Sequence, residues 1–300
     1  MAKIYLGFNC NCFTNRYDEP EVWPALCRKM GVRHVMFNID LIDPYWPWAV
    51  QKALADRTLE ACRQNGATIR AGFGGHHGHQ HYLGHPDQAV RREAETFIRR
   101  AIKLVAYLGG RSFGTCFGIQ TVRTHGDARL RQEIMEDALA AYERLAVYGQ
   151  EVGLAALAYE MTSVPRETCA TFAENDYVLQ ECRDFAIPMR LCLDMGHRNT
   201  AGTPEEADHL AWIRRYGKIC DVIDCQQTDL DGSRHWPFTP EFNARGVIKA
   251  EQVVRAIEDS GAGEILLAFE LRAAAFHPQE YRYLDELQAS VDYWRQYVTE

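Results

Sequence analysis

Residues 153–160 read GLAALAYE and residues 187–194 read IPMRLCLD. Each is a short apolar run that stops on a carboxylate, and the form recurs as ICDVIDCQQ (219–227) and EILLAFE (264–270). Runs of this kind fit strands buried on both faces, because a parallel sheet covered by helices has no solvated side. Upstream, KIYLGF (3–8), VRHVMFNID (32–40), ATIRAGFG (67–74) and RSFGTCFG (111–118) complete eight strand candidates. Segments of helical period separate most of them, among them EPEVWPALCRKMG (19–31) and WAVQKALADRTLEACRQNG (48–66). A long helix from about Pro86 should bury Val90, Ala94, Phe97, Ala101, Leu104 and Leu108, with Arg91, Arg92, Glu95, Arg99 and Arg100 opposite. Gly109 and Gly110 would end it. Ile134, Ala138, Ala141 and Leu145 give the next helix its stripe. Eight such units without a linker, repeat or low-complexity stretch predict α/β architecture, a single (β/α)8 barrel over residues 1–300, with a doubly wound sheet as the alternative.

Composition narrows the function. A chain of 300 residues that is 47% hydrophobic can bury a large core, and its net charge of -8 opposes a nucleic-acid partner, which needs clustered Lys and Arg. No apolar run is long enough to span a membrane, and MAKIYLGFNCNCF lacks the order of a signal peptide. The expectation is a cytoplasmic protein acting on a small molecule. The ten cysteines are scattered, which suits free thiols in a reducing compartment better than disulfides or a metal site at Cys10 and Cys12.

In a barrel, chemistry belongs at the carboxyl ends of the strands. Glu160, Asp194, Gln226 and Glu270 end or follow the last four strand candidates. A single carboxylate there is ordinarily a helix cap. Several in consecutive units, each after an apolar strand, would be costly to bury without a cation or hydrogen bonds. Three carboxylates and an amide oxygen form a hard donor set that suits Mn²⁺ or Mg²⁺ better than Zn²⁺. In LDMGHRN, His197 stands three residues past Asp194 and should share its cavity.

On these residues the chain resembles the sugar isomerase and epimerase branch of the xylose isomerase-like barrels, the superfamily that also holds endonuclease IV-type repair enzymes. It looks most like ketose 3-epimerases of the D-tagatose 3-epimerase type. That resemblance implies one divalent metal on the last four strands, with Glu160, Asp194 and Glu270 as ligands and His197 against the substrate. The family's seventh strand usually carries histidines where DCQQTD (224–229) has Asp224 and Gln226, so Gln226 is the implied replacement ligand and Gln227 the other register. In DGSRHW (231–236), Arg234 matches a substrate-binding arginine, with His235 beside it. Free-sugar epimerases have a glutamate where EMTSVPRE (160–167) has Arg166, and an arginine suits a phosphate. LIDPYW, LGHPD and QQTDLDGSRHW also resemble tetrulose-phosphate 3-epimerases.

The resemblance implies inversion at C3 of a ketose, such as erythrulose 1-phosphate, through an enediolate. Glu160 and Glu270 would be the catalytic pair, one removing the proton and the other returning it to the opposite face. An aldose–ketose isomerase would use the same parts. A non-catalytic sugar-phosphate-binding barrel and an endonuclease IV-like enzyme remain alternatives, and the family implies a possible homodimer. GGHHGHQHYLGH (74–85) holds five histidines after the third strand; its glycines suit a mobile, substrate-covering loop, with His76 or His81 as a contact, better than a metal site.

Overall fold

A computed structural model describes residues 2–272 and 280–298. Eight parallel strands close a barrel in sequence order: β1 (Lys3–Asn9), β2 (His34–Asn38), β3 (Thr68–Phe73), β4 (Ser112–Cys116), β5 (Ala156–Glu160), β6 (Met189–Asp194), β7 (Cys220–Cys225) and β8 (Glu264–Phe269). Closure is made by β1 on β8, in register from Lys3 opposite Glu264 to Phe8 opposite Phe269. The helices are α1 (Val22–Lys29), α2 (Trp48–Asn65), α3 (Gly75–Gln80), α4 (Gln88–Tyr107), α5 (Val122–Gly126), α6 (Ala128–Glu151), α7 (Phe172–Glu181), α8 (His209–Tyr216), α9 (Pro240–Arg245), α10 (Ala250–Asp259) and α11 (Tyr283–Trp294). The single (β/α)8 barrel expected from the sequence is the fold observed.

Side-chain alternation along each strand divides the core in two. The larger part lies between strands and helices and includes Phe8, Phe37, Leu104, Tyr159, Leu193 and Trp212. The smaller fills the barrel interior with Met36, Ala71, Phe73, Cys192, Val222, Leu266 and Ala268. Two residues further along the same strands, on the same inward face, the interior becomes polar: Asn38 follows Met36, Asp194 follows Cys192, Asp224 follows Val222 and Glu270 follows Ala268. The apolar plug therefore forms the floor beneath a polar layer at the carboxyl end.

Two local expectations change. The long helix begins at Gln88 with Asp87 capping the Ala89 amide, and Val90, in its first turn, is exposed. Residues 75–80 of the histidine-rich segment form α3 rather than a loop. Asp40, just past β2, accepts hydrogen bonds from the His76 and His77 amides and pairs with both imidazoles, so a carboxylate compensates a helix start rich in glycine and histidine. All ten cysteines are free and buried. Cys12 donates its thiol to the Phe269 carbonyl, and both Cys10 and Cys12 pack in the outer core, away from a ligating position. Among the described residues, no helix is long and apolar enough to cross a membrane.

Candidate active site

Four carboxylates occupy the polar layer: Glu160 closing β5, Asp194 closing β6, Asp224 within β7 and Glu270 following β8. All are buried. Carboxylate oxygens of Glu160, Asp224 and Glu270 lie within 4.8 Å of one another, and oxygen and nitrogen atoms of Asp194, His197 and His235 are grouped as closely. Burial, followed by the charges of Glu270, Asp194 and Asp224, pushes the Glu160 carboxyl well above the usual range. Asp224 is raised in the same way, by burial and then by Glu270 and Asp194. Burial also pushes Glu270 up, but the neighbouring His235 and Arg272 outweigh it and hold that carboxyl below its ordinary range.

Only part of this negative charge is answered. Glu270 Oε1 accepts from Asn11 Nδ2 at 2.8 Å and from Arg272 Nη2 at 3.3 Å, whereas Oε2 has no hydrogen bond despite complete burial. His235 Nδ1 stands 3.3 Å from that orphaned oxygen, its geometry directed instead to the Glu270 carbonyl at 3.2 Å. A buried oxygen without a partner, among hard donors on separate strands, fits a divalent cation.

His197 bridges the cluster on its outer side, with Nδ1 at 3.5 Å from Glu160 and Nε2 at 3.6 Å from Asp194. Gln226 departs from expectation. Its Oε1 accepts from the His235 amide at 2.6 Å, the Arg234 amide at 3.2 Å and Ser233 Oγ at 3.1 Å. The backbone donors fix which end of the amide is oxygen, so Nε2 faces Asp194, at 2.9 and 2.8 Å from its two oxygens. Gln226 thus offers the site a donor rather than the expected acceptor. Gln227 points elsewhere, to Asn243 and the Ile248 carbonyl. Close approach at Gln226 needs Gly196, since a Cβ there would meet Gln226 Cδ at 2.3 Å.

The proposed anion-binding arginines differ in freedom. Arg234 is engaged by both oxygens of Asp229 at 3.1 Å and lies over the Trp236 ring. Arg166, on a short 3-10 turn (Pro165–Glu167), has looser partners, Glu167 at 3.5 Å and the Gln120 carbonyl at 3.4 Å. His76 is exposed and held by Asp40 at 3.1 Å. Asn11 and Arg272 carry no signal in the sequence analysis, and Asp224 appears there only as the residue at a position where histidine is usual, without a role. Period-two counting along β7 reaches Asp224 two residues before Gln226, whereas Arg272 lies beyond the end of β8 and Asn11 between two conspicuous cysteines.

A closed parallel barrel whose carboxyl-end layer is built of buried carboxylates defines a class, and the profile of the xylose isomerase-like TIM barrel matches residues 24–296. The chain belongs to that family. D-erythrulose 1-phosphate 3-epimerase of Brucella abortus (strain 2308) is 28% identical over 300 residues, which cover 98% of this chain and 96% of the relative. A xylose isomerase-type protein of Rhodospirillum rubrum ATCC 11170 superposes with a TM-score of 0.90 at 25% identity, covering 98% of this chain and 99% of the other. D-psicose 3-epimerase of Clostridium cellulolyticum H10, at 15% identity and TM-score 0.68 over 100% of both chains, shares the fold.

Proposed function

We propose that this isomerase-class enzyme inverts C3 of a ketose, with a ketose phosphate such as erythrulose 1-phosphate as its substrate. The observation that carries the reading is the placement of Glu160 and Glu270, which enter one cavity from different strands with oxygens within 4.8 Å of each other. A divalent ion of the Mn²⁺ or Mg²⁺ class, held by Glu160, Asp194 and Glu270, would supply a Lewis acid for the substrate's carbonyl and hydroxyl oxygens. One glutamate removes the C3 proton and the other returns a proton to the opposite face, so the centre is inverted while the chain ends with its protons exchanged between the two carboxyls. His197 and Asn11 border these carboxylates and supply hydrogen bonds for hydroxyls. Arg166, with its fork largely uncommitted, serves a phosphate better than Arg234. The relationship to a tetrulose-phosphate epimerase supports the phosphorylated substrate.

The test is incubation with phosphorylated and free four- to six-carbon ketoses, with Mn²⁺ in ²H₂O, followed by NMR. Deuterium at C3 with formation of the C3 epimer is expected. Exchange confined to C1, with an aldose as product, would replace the epimerase reading by an aldose–ketose isomerase. No exchange with any sugar would leave a binding protein.

A further inference from the structure

The seventh strand delivers an amide whose oxygen is already claimed, yet a histidine reaches the same layer by another route. After Gln227 the chain leaves the barrel and returns at Trp236, where the two residues form an antiparallel bridge with N–H···O distances of 2.9 and 3.0 Å. That return sets His235 beside Gln226. Both backbone polar groups of His235 are fixed, its amide on Gln226 Oε1 at 2.6 Å and its carbonyl accepting from the Arg272 amide at 3.1 Å. The residue is buried and holds φ at 52°, in the left-handed region that favours glycine. Histidine is among the few non-glycine residues that adopt this conformation readily, so the turn carries an imidazole into the layer.

We propose that His235 Nδ1 is the nitrogen ligand of the metal site and that Gln226 is a positioning residue, holding His235 and Asp194 in place without binding the ion. The inference rests on reading the carboxylate cluster as a metal site. Nδ1 lies 3.3 Å from the orphaned Glu270 Oε2, a separation that two donors roughly 2.1 Å from one centre reach at an angle of about 100°. The other ring nitrogen, Nε2, lies 3.2 Å from Ser233 Oγ, which in turn lies 3.1 Å from Gln226 Oε1. With Nε2–H donated to that hydroxyl, Nδ1 carries the lone pair a metal would take in place of its contacts to Gln226 Nε2 at 3.1 Å and the Glu270 carbonyl at 3.2 Å, the outer-shell support typical of a metal-bound imidazole. Gln226 Nε2 completes the strut through its bonds to Asp194. One imidazole among carboxylates also moves the donor set from the all-oxygen one implied by the sequence toward metals that accept nitrogen.

Pulsed EPR of the Mn²⁺-loaded protein tests this directly, independently of turnover. With histidine isotopically labelled, the wild type should show one directly bound imidazole nitrogen. His235→Asn, which keeps a residue tolerant of positive φ, should abolish that coupling, and His235→Ala serves as a second variant with folding checked by circular dichroism. His197→Ala and Gln226→Met should keep it, the latter with Mn²⁺ affinity lowered about 10–100-fold. Coupling that survives in both folded His235 variants, or disappears in His197→Ala, would overturn the assignment while leaving the carboxylate site intact. Failure of the wild type to bind Mn²⁺ at all would remove the metal reading and this inference with it.

Discussion

Replacing Glu160 with glutamine should make the metal-free protein more stable at neutral pH while destroying its activity. Glu160 shares its cavity with three other buried carboxylates, two of which present oxygens within 4.8 Å of its own. At that separation one pair of like charges repels by about 3 kcal/mol with an effective dielectric constant of ~20. The native protein escapes this by binding a proton, which at pH 7 costs at most about 3 kcal/mol. Both routes set the penalty near ~3 kcal/mol. Glutamine avoids it, and little is lost in exchange, because the partners of Glu160 are distant: Cys116 Sγ at 3.9 Å and His197 Nδ1 at 3.5 Å. Unfolding entropy of about 2 cal/mol/K per residue over 300 residues turns this into a rise of about 5 °C in Tm.

The pH dependence carries the sign. A carboxyl whose folded pKa is raised contributes stability that is fully present below its ordinary range and is lost as pH rises through the folded value. The advantage of Glu160→Gln should therefore vanish near pH 4 and grow toward pH 8. Calorimetry of chelator-treated protein across this range measures it, and saturating Mn²⁺ should reverse the order by stabilising the wild type through binding. A Tm difference that is absent at pH 7, or equal at both ends of the range, would refute the reasoning.

Three further outcomes are expected. Glu160→Gln and Glu270→Gln should each abolish epimerisation, yet each should still exchange the C3 proton of one epimer with solvent deuterium, and the two should differ in which epimer; near-normal turnover by either, followed by NMR, would rule out the two-glutamate mechanism. Asp194→Ala should lose its metal by elemental analysis, and a full complement in that variant would point to a different site such as the α3 histidines. Arg166→Ala should raise KM for a ketose phosphate by the equivalent of about 1.5–3 kcal/mol while leaving a free ketose unaffected, and Arg234→Ala, whose guanidinium Asp229 already holds, should change it less.

The barrel and three of its acidic strand ends were legible because burial on both faces leaves a pattern that needs no partner to read. Glu160, Asp194 and Glu270 stand where an apolar strand runs out, and the strands observed end at or one residue before them. The role of Gln226 was not legible, since it depends on which way an amide is turned by N–H groups eight and nine residues further along the chain. His235 reaches the site through a backbone bridge between Gln227 and Trp236, a pairing that side-chain periodicity does not encode. Helix α3 was read as a loop because its own residues are poor helix formers, and the carboxylate that compensates them comes from Asp40, 36 residues earlier than His76. Arg272 gave no signal because it lies past the end of β8, where strand alternation no longer applies.

The ten buried cysteines give the folded chain an internal gauge. Burial pushes the thiols of Cys12, Cys62 and Cys182 up to about 12, so at neutral pH even a small reagent finds almost no thiolate to attack in the closed state. Because these residues are distributed from the turn after β1 to β7 and through α1, α2 and the segments around α7, their labelling reports how much of the ring has opened. Thiols that react together mark opening of the barrel as one unit, and thiols that react in separate groups map the parts that come loose first.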